Sequence, residues 1–228
     1  MTNGYLTRRS SGNGKRKGDV MNVLVIGATG QTGRHAVSQL LARGHEVTAF
    51  ARTPSAVNER SERLRVVQGD ARDLESIDRA MVGQNAVLVA FGPRALKKDD
   101  VQEVLMRNLI AAMTKHAVKR VVNLSAWGSG GGMVPPRDFM VRYFLLPVVL
   151  RHMLADKRRG EAHLFKSDLA YTNLCPGHLK NSPARGGVRA SLDGKGLEQV
   201  MHREDLAAFM VEQLSSQQWV RRCVAVGY

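Results

Sequence analysis

The stretch VLVIGATGQTGRHA, residues 23–36, joins two different hydrophobic patterns at a run of glycines. Its first four residues form a continuous apolar run, which is typical of a strand buried on both faces of a sheet. Beyond the glycines, apolar residues recur at helical spacing, at Ala36, Val37, Leu40 and Leu41. The stretch therefore predicts a strand, a tight turn and a helix that ends at Gly44.

The glycines follow the spacing G-x-x-G-x-x-G at Gly27, Gly30 and Gly33. The first lets the chain turn sharply off the strand, the second leaves room for a phosphate, and the third lets the helix pack closely against the sheet. The start of the helix then offers unpaired amides and the positive end of its dipole to an anion. Between a first strand and a first helix, this pattern predicts a site for the pyrophosphate of a dinucleotide.

Strands and helices alternate along the rest of the chain. Strand patterns cover residues 20–26, 46–51, 63–68, 86–91, 120–124, 170–175 and 223–226. Helical patterns cover residues 31–43, 99–116, 151–167 and 203–214, and Asp73 can cap a further helix that ends at Met81. This order predicts a Rossmann-like α/β fold, a doubly wound parallel sheet in three α/β/α layers. We expect one domain over residues 20–228, with small C-terminal elements on the substrate side.

The composition favours a chain with one core and an anionic ligand. The sequence has 228 residues, of which 43% are hydrophobic, and its net charge is +14. That length supports one sizeable core, and the positive charge attracts anions. We interpret residues 1–19 as a disordered basic extension, which carries Arg8, Arg9, Lys15, Arg16 and Lys17. The extension leaves open a contact with an acidic surface, but we expect no nucleic-acid partner.

Neither export nor membrane insertion is expected. No apolar run approaches the ~20 residues that span a bilayer. The Arg8-Arg9 pair is not followed by the apolar stretch of a twin-arginine signal. Cys175 and Cys223 are the only cysteines, too few for a disulfide framework or a metal site. We therefore expect a cytoplasmic protein without a metal, acting as a monomer or a homodimer on a small molecule.

The end of the second strand indicates which dinucleotide binds. NAD-specific sites usually carry an acidic residue there, whereas this chain has Arg52, followed by Thr53. A guanidinium at this place can clamp a 2′-phosphate, and the threonine hydroxyl can add a donor. Asp70, after the third strand, would lie beside the adenine. The pattern favours NADP (NADPH) over NAD. The alternative interpretations are that Arg52 is a solvated loop arginine and that Asp70 belongs to a plain turn.

Several motifs together resemble the atypical short-chain dehydrogenases with NmrA-like NAD(P)H-binding domains, especially their flavin reductase and biliverdin reductase B branch. The resemblance covers most of the chain from Val23 onward. Its motifs are GATGQTG, GQNAVLVAFG, NLIAAMTKHAVKRVV, Ser125-Ala126, VPPR, PGHL, LDGKG and HREDLAAFM. It implies a Rossmann-like domain that uses NADPH.

The resemblance also implies roles for individual residues. It places the 2′-phosphate on Arg52, but the second arginine that relatives often have four residues later is Ala56 here. Ser125, Pro176 and His178 would surround the nicotinamide and the substrate. The other residues implied are the phosphate-binding Gly27, Thr29, Gly30, Gln31, Thr32 and Gly33, the adenine neighbours Asp70 and Ala71, and Phe91 and Gly92 on the ribose side.

The usual catalytic tyrosine of short-chain dehydrogenases is not found at its expected spacing. The motif Tyr-x-x-x-Lys-x-x-x-Glu corresponds here to Met153, Lys157 and Glu161. Met153 stands where the tyrosine would be, and its thioether cannot donate a proton. The motif thus keeps its lysine, Lys157, but lacks the catalytic tyrosine. Tyr143 is the nearest tyrosine, but Pro147 stands where its lysine would be. Lys157 is therefore a candidate catalytic residue, with an exposed helix lysine as the alternative.

A missing tyrosine favours an acceptor that spreads incoming charge itself. Flavins, quinones and linear tetrapyrroles are conjugated in this way, so hydride transfer to them depends chiefly on positioning. Ser125 could hydrogen-bond the acceptor or the carboxamide, and His178 could donate a proton near neutral pH. The alternative interpretations are that Ser125 caps a helix or a turn and that His178 is a loop histidine bonded to the backbone. Trp127, Phe139 and Tyr143 could form an apolar wall for a planar substrate, although core packing is commoner.

Two other functions stay open at this point. A ketoreductase or epimerase of a biosynthetic pathway would suit the glycine-rich loop over residues 128–132. A non-catalytic NADP-binding sensor of the NmrA-like kind would suit the absent tyrosine and the basic extension.

Overall fold

In the computed structural model, which describes residues 20–92, 99–127, 129 and 151–228, an eight-stranded sheet runs through the centre of the chain. Its strand order is β3-β2-β1-β4-β5-β6-β10-β8. The seven parallel strands are β1 (Asn22–Ile26), β2 (Glu46–Ala51), β3 (Leu64–Gln68), β4 (Ala86–Val89), β5 (Arg120–Leu124), β6 (Ala170–Pro176) and β10 (Arg222–Gly227). The edge strand β8 (Arg189–Ser191) is antiparallel to β10. The predicted doubly wound α/β fold is confirmed.

Helices cover both faces of this sheet. They are α1 (Gln31–Ala42), α2 (Leu74–Met81), α3 (Val101–Lys115), α4 (Arg151–Lys166) and α5 (Arg203–Gln213). One buried cluster joins the sheet to α1 and α5, and a second joins it to α2, α3 and α4. The central strands are apolar towards both layers, since Val23 and Val25 belong to the first cluster while Leu24 and Ile26 belong to the second.

The helix boundaries follow local capping chemistry. Asp73 caps α2 as predicted, and its side chain accepts a hydrogen bond from the amide of Glu75 at 3.0 Å. Helix α3 begins at Val101, two residues later than predicted, because the Asp99 carboxylate accepts the amides of Asp100 and Val101. The remaining helix ends agree with the prediction to within one residue.

The predicted strands differ from the observed ones mainly at their ends. Strand β1 begins at Asn22 rather than Val20, and β4 ends at Val89 rather than Phe91. Strand β10 gains Arg222 and Gly227 at its ends. These residues lie at the edges of the ladders, where pairing with the neighbouring strand rather than local pattern decides the limit.

The C-terminal segment contains three short strands that the sequence did not indicate. They are β7 (His178–Lys180), β8 (Arg189–Ser191) and β9 (Val200–His202), of which β7 and β9 form a separate parallel pair. His178 therefore begins a strand rather than lying in an irregular loop. Three-residue strands within a glycine- and proline-rich stretch leave no readable period. The sequence predicted small additional elements in this C-terminal part of the chain, but not these strands.

Some predictions concern residues outside the described part of the chain. These are the basic extension over residues 1–19, Phe139, Tyr143, Pro147 and most of the loop over residues 128–132. Within the described ranges, no helix combines the length and the apolar character needed to cross a bilayer.

Candidate functional site

The turn between β1 and α1 requires glycine for two separate reasons. Gly27 has φ +84°, and a Cβ there would lie 2.7 Å from the carbonyl oxygen of Ala90 at the end of β4. Gly33 is buried, and a Cβ on it would overlap the carbonyl oxygen of Gly27. The first glycine thus permits the turn, and the third lets α1 start directly against it.

Gly30 lies at the start of α1 and is the candidate contact for a phosphate. Its amide donates to the carbonyl of Gly27 at 2.9 Å, and it caps α1 without a side-chain hydrogen bond. The first turn of α1 contains no acidic residue. The first amides of α1 have no partner within the helix and lie at its positive dipole end, which is the arrangement that binds phosphate in Rossmann folds.

A groove of about 470 Å³ runs from this turn along the carboxyl ends of the strands. It lies where the strand order reverses between β1 and β4, the usual ligand position in open α/β sheets. Nine predicted cofactor-binding residues line it: Gly27, Thr29, Gly30, Arg52, Thr53, Asp70, Ala71, Phe91 and Gly92. The glycine turn, the end of β2 and the end of β3 thus form one continuous cleft.

Six predicted cofactor-binding residues do not line the groove. Of the glycine-turn residues, Gln31 is exposed, while Thr32 and Gly33 are buried beneath the turn. Ser125, Pro176 and His178 lie further along the sheet, at or beyond the ends of β5 and β6.

The end of the groove at β2 is basic. Arg52 and Thr53 are both exposed there, and within the described ranges no carboxylate pairs with Arg52. Arg34, which the sequence reading missed, lines the same groove. Its guanidinium reaches the carbonyls of Thr29 and Ala56, at 3.2 and 3.4 Å. Its position directly after the third glycine was the available signal.

The opposite wall of the groove is built around Gly69 and Asp70. The ring of Phe50 and the hydroxyl of Ser76 pack against Gly69, which leaves no space for a side chain there. The Asp70 carboxylate accepts the amide of Arg72 at 2.8 Å. These contacts fix the shape of the turn at this wall of the groove.

Ion pairs connect this wall to the start of α3. Arg72 pairs with both Asp99 and Asp100, with nitrogen–oxygen distances of 2.5 Å. The hydrogen bond to Asp100 is the main reason that the pKa of Arg72 is raised and that of Asp100 is lowered. The pairs are partly exposed, so they fix the position of the loop more than they stabilise the fold.

A second polar cluster surrounds Ser125 at the end of β5. The Ser125 hydroxyl donates to the Glu161 carboxylate and lies 2.5 Å from the Ser129 hydroxyl. Ser125, Ser129 and Glu161 are all buried. The second oxygen of Glu161 has no hydrogen-bond partner among the described residues. Glu161 was recognised in the sequence only by its spacing from Lys157, and its contact with Ser125 needed the structure.

Lys157 belongs to the same cluster and is not an exposed helix lysine. Only 6% of the residue is accessible, and its ammonium donates to the carbonyl of Leu124 at 3.2 Å. Burial lowers the pKa of Lys157, while the nearby Glu161 charge acts in the opposite direction. Helix α4 thus brings Lys157 and Glu161, one turn apart, to the carboxyl end of β5.

The remaining predicted residues lie around this cluster in different environments. The carbonyl of Pro176 accepts the amide of Trp127 at 2.8 Å, which ties the end of β6 to the segment after β5. The Trp127 side chain is buried, and its ring packs against Gly194. His178 is exposed, and its amide donates to the carbonyl of Gln199 at 2.6 Å. The His178 ring is therefore accessible to a ligand, whereas Trp127 chiefly packs.

The two cysteines, Cys175 and Cys223, lie next to each other, and Cys175 contacts Ser125. Their sulfur atoms are 3.3 Å apart, and both are free thiols. The contact with Cys223, together with burial, raises the pKa of the Cys175 thiol well above its usual range. A buried thiol with a raised pKa is a poor nucleophile, so Cys175 contributes packing rather than covalent chemistry.

Comparison with known proteins agrees with this geometry. The model of the NAD(P)H-binding family matches residues 27–217. An uncharacterized chloroplastic protein of Arabidopsis thaliana is 30% identical over 208 residues, which cover 84% of this chain and 71% of that protein.

Solved structures that share the fold include the following two. A short-chain dehydrogenase/reductase from Veillonella parvula in complex with NADP is 19% identical and has a TM-score of 0.74, covering 91% of this chain and 94% of its own. ChuY, an anaerobillin reductase from Escherichia coli O157:H7, is 20% identical and has a TM-score of 0.74, covering 90% of this chain and 96% of its own.

The matched residues include the glycine turn, every strand of the sheet except β1 and β10, and the Ser125 cluster. The family expected from the sequence motifs is confirmed. The chain belongs to the NAD(P)H-binding family.

Proposed function

We propose that this chain is an NADPH-dependent reductase that transfers hydride to a conjugated acceptor such as a flavin, a quinone or a linear tetrapyrrole. The observation that carries the proposal is the groove itself. It begins at a glycine turn shaped for a diphosphate and carries arginine rather than an acidic residue at the end of β2.

The residues present fit a nicotinamide dinucleotide. A Cβ at Gly27 would collide with the carbonyl of Ala90, and one at Gly33 with the carbonyl of Gly27. Glycine at both positions therefore permits the tight turn that a Rossmann diphosphate site requires. Arg52 and Thr53 would hold the 2′-phosphate, and Asp70 and Ala71 would flank the adenine. The bound coenzyme supplies a hydride from its reduced ring.

The geometry around Ser125 suits an acceptor that needs little help with proton transfer. The Ser125 hydrogen is engaged by Glu161, so the hydroxyl presents a lone pair to its other neighbours. A lone pair accepts the N–H of a carboxamide, whereas a ketone oxygen requires a donor. The Ser125 hydroxyl would therefore orient the ring that carries the hydride, and the exposed His178 or solvent would supply the proton.

Steady-state kinetics test this proposal. The full chain is mixed with NADPH or NADH and with a free flavin, a naphthoquinone or a simple aryl ketone, and nicotinamide oxidation is followed by absorbance. We expect turnover with the conjugated acceptors, a preference for NADPH and little turnover with the ketone. Efficient ketone reduction alone would contradict the acceptor class, and NADPH binding without turnover would instead favour the NADP-binding sensor.

A further inference from the structure

We propose that Arg34 is a second ligand of the coenzyme 2′-phosphate and takes the place of the arginine that is absent at Ala56. This inference rests on the proposed use of NADPH. It assigns the preference of the site for NADPH over NADH to two arginines from different segments, Arg34 in α1 and Arg52 at the end of β2.

The first observation is where the Arg34 guanidinium lies. Arg34 stands in the first turn of α1, and its Nε donates to the carbonyl of Thr29 at 3.2 Å. Its Nη2 donates to the carbonyl of Ala56 at 3.4 Å. These two carbonyls belong to the glycine turn and to the segment after β2. The guanidinium therefore bridges the two segments that meet at the 2′ position of a Rossmann-bound ribose.

The second observation is the charge at this end of the groove. Arg34, Arg52 and Thr53 all line the groove, and the Arg34 guanidinium reaches the Ala56 carbonyl, four residues after Arg52. Within the described ranges, neither arginine forms an ion pair with a carboxylate. Two guanidinium groups on one groove without an acidic partner attract a doubly charged anion such as a phosphate monoester.

The third observation is the capacity that Arg34 keeps. The residue is exposed, and its two bonds to neutral carbonyls use two of the five N–H groups of a guanidinium. The remaining N–H groups are available to phosphate oxygens. The small Ala56 side chain leaves the position of the usual second arginine open, and Arg34 reaches the backbone of that same residue.

Ligand binding to a set of variants separates this role from a purely structural one. Calorimetry gives the Kd of NADPH, NADH, 2′,5′-ADP and 5′-AMP for the wild type, Arg34→Gln and the double variant Arg34→Gln/Ala56→Arg. Arg65→Gln is the control, because Arg65 is exposed on β3 and does not line the groove, so the control removes the same charge elsewhere.

We expect Arg34→Gln to raise the Kd of NADPH and of 2′,5′-ADP roughly 10- to 100-fold, as for a lost charged hydrogen bond. The Kd of NADH and of 5′-AMP should stay within about twofold on the same scale. The double variant should recover most of the lost affinity for the 2′-phosphorylated ligands, and Arg65→Gln should resemble the wild type.

An equal rise in the Kd of all four ligands would overturn the proposal, since it would show that Arg34 only holds two loops together. An unchanged ratio of NADPH to NADH affinity in Arg34→Gln would overturn it as well. These outcomes are distinct from a failure of the proposed function. A wild type that binds 2′,5′-ADP through Arg34 but reduces no acceptor would support the clamp and contradict the reductase.

Discussion

At the scale of single residues, the site depends on a few side chains whose chemistry can be read from the sequence and on others whose partners cannot. Gly27, Gly33 and Arg52 were identified by spacing and by their place after a strand. Arg34 and Glu161 gained their significance from contacts with residues far along the chain, at Ala56 and Ser125. Such contacts leave no local period or motif, so the sequence did not reveal them.

Reversing the charge of Arg52 tests its role in coenzyme choice. Arg52→Glu places a carboxylate beside the expected 2′-phosphate, so we expect the NADPH Kd to rise at least ~100-fold while NADH binding changes little. The ratio of the two Kd values, measured by calorimetry, gives the result. An unchanged ratio would make Arg52 a bystander on the groove surface.

Removing the Ser125 hydroxyl tests the buried cluster. Ser125→Ala leaves the Glu161 carboxylate with a weaker set of donors, and we expect the free energy of unfolding to fall by about 2 kcal/mol. Urea denaturation measures the change, and Ser55→Ala is a control at an exposed serine. Equal stability of Ser125→Ala and the control would show that the Glu161 contact is not formed in solution.

At the scale of elements, the order of strands and helices was predictable because apolar patterning and capping agree along most of the chain. Helix α4 then performs two tasks that its pattern did not show. Its Asp156 carboxylate accepts the amides of Gln102 and Glu103 at the start of α3, at 3.0 and 3.1 Å. The next residue, Lys157, and Glu161 one turn beyond it are presented to the end of β5. The helix therefore links the groove wall to the Ser125 cluster.

The short C-terminal strands were missed because long-range contacts hold them. Asp205 in α5 accepts the Tyr228 hydroxyl at 2.5 Å and the amides of Arg185 and Gly186 at 2.7 and 3.0 Å. These bonds fix the segment between β7 and β8 without any hydrophobic period. Burial raises the pKa of the Asp205 carboxyl, but its hydrogen bonds outweigh burial and hold the pKa below its usual range.

The sign of this pKa shift predicts how stability depends on pH. A carboxyl whose pKa is lower in the folded chain contributes stability above its unfolded pKa of about 3.9, and that contribution disappears as the pH falls through the folded pKa. Asp205→Asn should therefore be about 2 kcal/mol less stable than the wild type at pH 7.

The difference between Asp205→Asn and the wild type should shrink below about pH 4. Urea denaturation across the pH range measures it, with Asp168→Asn as a control at an exposed carboxylate. A gap that is the same at every pH would contradict the assigned role of the charged Asp205.

At the scale of the whole molecule, topology and charge act on the same place. The reversal of strand order between β1 and β4 opens the groove, and the net charge of +14 favours the approach of an anionic ligand. The sequence predicted both features, since each follows from composition and element order. The family match over residues 27–217 agrees with the fold and the nicotinamide site.

Salt dependence tests this electrostatic contribution. NADPH carries an additional phosphate, which the proposed clamp places beside Arg34 and Arg52, so its affinity should fall more steeply with salt than that of NADH. Raising ionic strength from about 0.01 M to about 0.15 M shortens the Debye length from about 30 to about 8 Å. We expect the ratio of NADPH to NADH affinity to fall several-fold over that range. Parallel salt dependence of the two affinities would contradict the prediction.

A crystal structure of the full chain grown with NADPH tests the central claim most directly. The account predicts the diphosphate against the glycine turn and the amides at the start of α1, with the 2′-phosphate between Arg52 and Arg34. Electron density for the coenzyme at another surface, with the glycine turn free of phosphate, would contradict it.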